Sequence, residues 1–140
     1  MVEVVVGDQR QLRSALEEAG VVAAYLFGSR AAGTQRPASD ADVAVLMGRR
    51  PGLLERARLA DLLAQALQVP DVDLVVLDEA TLELRGRVLQ EGRLIFSSDE
   101  SRRVAFEVRT RSEYFDFLPT LQAHTRRYIR QVAEHGLFGS

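Results

Sequence analysis

The chain is 140 residues long, the size of one ordinary domain, and its 46% hydrophobic and 27% charged content is that of a globular protein. It contains no cysteine, and all 18 of its basic residues are arginine. Disulfides, thiol nucleophiles, Cys-based zinc sites, Schiff-base and lysyl-adenylate chemistry and a Walker A lysine are therefore excluded. The two histidines, His124 and His135, lie near the C-terminus, away from any nucleophile motif, which makes a Ser-His-Asp site a poor reading. What remains is carboxylate, hydroxyl, backbone and arginine chemistry, a set that points to metal-dependent work on phosphates. Net charge is −2 and unevenly placed: residues 1–100 carry 11 arginines against 16 acidic residues, residues 101–140 carry 7 against 4. An acidic front of this kind argues against direct nucleic-acid binding. No apolar run approaches the ~20 residues of a membrane span. The start, Met1 to Asp8, lacks the basic lead of a secretory signal, so a cytoplasmic location is expected.

In chain order, Asp8 is placed to cap a first helix through Leu12, Leu16 and Ala19, ended by Gly20. Val21–Phe27 is a short apolar run stopped by Gly28 and reads as a buried strand. Residues 28–39, with Gly28, Gly33 and Pro37, read as loop. A second strand spans about Asp40–Met47. A helical pattern from Leu53 to Leu67 runs up to the Val69-Pro70 break. Val72–Leu77 is a third strand; a helix through Leu82 and Val88 leads to Gly92, and Leu94–Phe96 is a short fourth strand or edge. Asp99 can cap a last long helix in which Val104, Val108, Phe115 and Leu118 form one stripe, with an interruption expected at Pro119. The fold class is α+β, a mixed sheet backed by helices, with a core over residues 1–97 and a helical C-terminal extension of the same domain over 98–140.

The chemistry sits in Gly28-Ser29, ten further residues, then Asp40-Ala41-Asp42. Gly28 lets a phosphate approach the backbone closely, and Ser29 adds a hydroxyl and, at a helical turn, free N–H groups for an anion. Asp40 and Asp42 are two apart on a strand, so both carboxylates leave the same face, while Ala41 faces away. Like charges that close repel unless a cation lies between them, and magnesium is the economical hard cation. Asp73 interrupts an apolar strand, where a carboxylate is expensive unless paired or metal-bound. If its strand lies beside the Asp40–Met47 strand, the ~4.8 Å spacing brings it into the same cluster. Three carboxylates beside a Gly-Ser cradle describe an in-line phosphoryl or nucleotidyl transfer site.

This pattern, Gly28-Ser29-x10-Asp40-x-Asp42 with Asp73 on a later strand, resembles the nucleotidyltransferase superfamily related to DNA polymerase beta. It is most similar to the minimal branch, the MNT antitoxins of HEPT/MNT toxin–antitoxin pairs. The resemblance covers about residues 10–97 and, more loosely, the helical tail with Arg102-Arg103-Val104-Ala105-Phe106-Glu107. It implies a nucleotidyltransferase fold and ATP as substrate, with Mg2+ held by Asp40, Asp42 and Asp73. These three would be catalytic, Asp73 activating the acceptor or binding a second metal; Gly28, Ser29 and Arg30 would hold the triphosphate. The implied reaction moves AMP from ATP to a tyrosine of a HEPT RNase toxin. The implied partners are ATP and that toxin, in a homo-oligomer or a hetero-oligomer with it, with no membrane. With about forty residues after the core, no separate acceptor domain is expected, and a partner protein is the better acceptor. The alternatives are a non-catalytic binding antitoxin and a transferase acting on a small molecule such as an aminoglycoside.

Less is expected of other residues. Asp71 reads as a turn residue and Arg36 as a loop charge. The Arg102, Arg103, Arg109 and Arg111 set reads as the wet face of a helix, with docking to an acidic partner as its alternative. Tyr114, Phe115 and Phe117 read as core, His124 and His135 as surface, and Tyr128 as an undistinguished acceptor candidate.

Overall fold

The computed structural model describes residues 9–28 and 40–135, so the expected Asp8 cap and the loop from Ser29 to Ser39 lie outside the described residues. Within it, α1 (Gln9–Glu18), β1 (Ala23–Phe27), β2 (Ala41–Leu46), α2 (Leu53–Leu67), β3 (Val72–Val76), a single 3-10 turn (Leu77–Glu79), α3 (Leu82–Glu91), β4 (Arg93–Ser97) and α4 (Glu100–His135) follow in order. Each strand and helix matches an expected one, shifted by a residue or two at the ends. No described helix is long and apolar enough to cross a membrane.

Local chemistry explains the boundaries. Gln68 ends α2 in a left-handed conformation and its N–H bonds back to Ala64 and Gln65, after which Pro70 prevents continuation. Thr81 caps α3 by accepting the Leu84 N–H at 3.2 Å. Asp99 caps α4 in the same way through Arg102 N–H at 3.1 Å. The 3-10 turn after β3 carries Asp78, whose carboxylate accepts the N–H groups of Met47 and Gly48 at 2.8 and 2.6 Å and so ties the end of β2 to the end of β3.

The four strands lie in the order β3-β2-β1-β4. β1 pairs antiparallel with both β2 and β4, and β2 pairs parallel with β3, a direction made possible by the α2 crossover. Strand alternation divides the side chains between two cores. Ala24, Leu26, Val43, Val45, Val72 and Val76 face Leu16 of α1 and Leu59 and Leu63 of α2. Ala23, Tyr25, Ala44 and Leu46 face Val88 and Leu89 of α3 and Phe106 of α4. On that second face the Tyr25 hydroxyl donates to Glu107 at 2.6 Å, and Arg103 reaches the same carboxylate at 3.0 Å. Burial is the main influence raising the Tyr25 pKa, with the bond to Glu107 and its charge adding to it. Burial pushes Glu107 up, but its bonds to Tyr25 and Arg103 and the nearby arginines outweigh that and leave it below the usual range.

α4 differs from expectation in three ways. It runs through Pro119 without a break. Proline removes the bond to the carbonyl four residues earlier, which belongs to Phe115; that residue is 75% exposed, so water can serve the freed carbonyl. The Val104, Val108 and Phe115 stripe points outward, while Phe106 packs against the sheet, Thr110 is buried and Tyr114 packs over Gly86 of α3, where any Cβ would collide with the ring. Phe117, on the side of the helix that carries Phe106, is still 36% exposed. Finally, the four arginines do not share a wet face: Arg103 is largely buried between Glu100 and Glu107.

Candidate active site

The sheet register decides the geometry. Phe27 of β1 is opposite Asp42 of β2, and Asp42 is in parallel register with Asp73 of β3. Asp42 lies between Ala41 and Val43, both of which face the α1/α2 core, so its carboxylate leaves the other side of the sheet. Asp73 lies between Val72 and Leu74, which face that same core, and emerges on the same side as Asp42. Asp40 immediately precedes β2 and is exposed.

Electrostatics report the crowding. The Asp42 carboxyl sits above its ordinary range, first because burial disfavours its charge, then because the charges of Asp73 and Asp40 repel it. Hard oxygen donors in mutual repulsion are the donor chemistry that a magnesium ion accepts. Among the described residues no three acidic or histidine side chains stand at ligand spacing around one point, so the carboxylates are neighbours rather than a closed cage.

Gly28 completes the described part. It follows β1 at φ +78°, a left-handed conformation that favours glycine, and a Cβ there would collide with Asp42 Oδ2. The backbone at the end of β1 therefore lies directly against the carboxylate. Ser29, Arg30 and Arg36 lie outside the described residues, as do the side chains of His124, Tyr128 and His135.

Residues 10–101 match the family described as polymerase beta, nucleotidyltransferase. The chain belongs to the polymerase beta nucleotidyltransferase family. Its relatives within that family include the protein adenylyltransferase MntA of Shewanella oneidensis, 40% identical over 108 residues, 77% of this chain and 73% of MntA. Among solved structures, a toxin–antitoxin crystallised with AMP-PNP is 33% identical with a TM-score of 0.66, over 90% of this chain and 98% of that one. An MNT antitoxin in complex with tri-AMPylated Shewanella oneidensis HEPN toxin is 29% identical with a TM-score of 0.58, over 90% and 99% of the two chains.

Within this nucleotidyltransferase, Asp73 departs from expectation. Asp73 is expected to be a costly carboxylate inside an apolar strand, but β3 lies at the edge of the described sheet and Asp73 is exposed. Its place beside Asp42 comes from register and parity rather than from burial. Asp71 does turn the chain: its carboxylate accepts the N–H of Val72 at 2.9 Å and its carbonyl accepts that of Ala41. Sequence reasoning missed Asp78, which fastens β2 to β3, and Tyr25, which fastens α4 to the sheet. Asp78 followed an apolar strand much as Asp73 interrupted one, and that signal was available.

Proposed function

We propose that this chain is an antitoxin that transfers AMP from Mg-ATP to a tyrosine of a HEPT-domain toxin. The observation that carries the reading is the in-register pair Asp42 and Asp73 beside Gly28, in a chain 40% identical to a protein adenylyltransferase. Asp40, Asp42 and Asp73 would hold magnesium, whose positive charge would draw the carboxylates together and offset charge on the phosphates. Gly28, Ser29 and Arg30 would seat the triphosphate, Gly28 by letting the phosphates approach the backbone. The toxin's tyrosine oxygen attacks the α-phosphorus, the bond from that phosphorus to the bridging oxygen breaks, and pyrophosphate leaves. Asp73, the more exposed carboxylate of the pair, accepts the phenolic proton.

The test is to incubate the protein, its cognate toxin, ATP and magnesium, and to read intact mass. The expected result is a gain on the toxin equal to AMP, absent for Asp42→Asn. No gain with wild-type protein would refute the reading.

A second reading, neutralisation by binding, is favoured by the outward stripe on α4, where Val104, Val108 and Phe115 are 45%, 61% and 75% exposed. Growth rescue by Asp42→Asn would favour it over catalysis.

A further inference from the structure

At the opposite end of the same sheet face lies a cavity of about 350 Å³. Leu46, Leu77 and Phe106, all buried, form its apolar lining. The rest of the lining includes four arginines, Arg49 and Arg50 after β2, Arg85 of α3 and Arg109 of α4. A fifth, Arg102, lies against Gly48 at the rim, since a Cβ on that glycine would collide with its Nη2. Arg102 and Arg109 are seven residues apart, two helical turns, which puts both on one face of α4.

Apart from Arg49, these cations are poorly neutralised. Arg49 is held by Glu55 and by the Ala19 carbonyl. Arg50 feels Glu79 only through space. Among the described residues, no carboxylate pairs with Arg85, Arg102 or Arg109, and the Arg85 Nε is buried without a hydrogen-bond partner. The cavity's one carboxylate, Asp78, is committed to the N–H groups of Met47 and Gly48. A buried guanidinium nitrogen with no acceptor is costly, and an entering anion would satisfy it.

We infer that this cavity is a second anion site, which binds a small molecule carrying two or more linked phosphates, such as pyrophosphate or a nucleoside polyphosphate. A carboxylate offers two coplanar oxygens and suits one guanidinium fork. Linked phosphates carry several charges and acceptors in three dimensions, and suit arginines contributed by a loop and two helices. The volume is at the small end of ligand pockets, which fits such an anion. The site is separate from the carboxylates: Asp42 and Leu46 are four residues apart on β2, about 13 Å at strand rise.

The experiment is titration calorimetry with pyrophosphate, ATP and inorganic phosphate, with EDTA present to silence any magnesium-dependent binding. Saturable binding of pyrophosphate or ATP is expected, with inorganic phosphate weaker. Arg85→Gln and Arg109→Gln should each weaken it by about tenfold or more, the loss of a charge-assisted hydrogen bond. Arg58→Gln, which removes an exposed cation elsewhere, and Asp42→Asn should leave it unchanged. Equal binding by the Arg85 and Arg109 variants would overturn the proposal, as would loss on Asp42→Asn or no saturation at millimolar anion. So would equal affinity for a glutamate-rich peptide of matched charge. Because the readout is metal-free binding, its failure is distinct from failure of AMP transfer.

Discussion

Gly28 and Gly20 form a natural matched pair for testing the active-site geometry. Both adopt left-handed backbone, φ +78° and +81°. An alanine at either pays about 1–2 kcal/mol of left-handed strain, offset by about 0.4–1 kcal/mol because the unfolded chain loses freedom. Each variant should therefore be destabilised by about 1 kcal/mol, a fall of about 3–5 °C in Tm for a domain of this size. The two differ in what the new methyl meets: at Gly20 the nearest atom is Arg49 Nη2 at 3.8 Å, an ordinary contact, whereas at Gly28 it is the Asp42 carboxylate. Gly28→Ala must turn that carboxylate aside, and a displacement of about 1 Å at a reacting centre can cost about 10²-fold in rate. Urea denaturation measures the first effect and the rate of AMP transfer to the toxin the second. Similar stability losses with an activity loss confined to Gly28→Ala are expected. Full transfer activity in Gly28→Ala, or equal activity losses in both, would refute the placement of Gly28 against the proposed catalytic carboxylate.

Asp42→Asn should stabilise the metal-free protein at pH 7, since a pKa raised in the folded state means that ionisation opposes folding. The gain should shrink as pH falls through that raised pKa and the wild-type carboxyl protonates, which thermal melts from pH 7 to 3 would follow. The same substitution should remove any rise in Tm on adding magnesium. Tyr25→Phe should cost about 1–2 kcal/mol in urea denaturation by deleting a bond to a charged, partly buried acceptor. Glu107 has a depressed pKa, so its contribution is present above the ordinary glutamate range; the deficit of Glu107→Gln should narrow as pH drops below about 4. Val108→Glu and Phe115→Glu, at exposed positions, should change stability by less than about 0.5 kcal/mol. If the toxin covers this stripe, they should also reduce its co-purification with the antitoxin.

The strands were readable because an apolar run bounded by Gly, Pro or Asp has few other uses, and Asp42 and Asp73 share a side once β2 and β3 lie in register. What parity could not supply was depth. β3 turned out to be the outermost strand, a property of topology that no residue in it announces. The α4 stripe was real, yet a wheel with apolar residues on two sides does not say which side packs inward; Phe106, Thr110 and Tyr114 do, with Gly86 of α3 giving Tyr114 room. The grouping of Arg102, Arg103, Arg109 and Arg111 failed on simple angles. At about 100° per residue, Arg102 and Arg109 nearly coincide, Arg103 is a quarter turn away and Arg111 is opposite.

The position of β3 at the margin of the sheet bears on what kind of molecule can be modified. Among the described residues no strand covers its flank, so an acceptor can approach Asp73 laterally with its own bulk still outside. A folded protein can offer one protruding ring to such a ledge, while a sugar-sized acceptor would need walls around it to be held in place. On the proposed reading, that placement suits a protein acceptor better than a sugar-sized one.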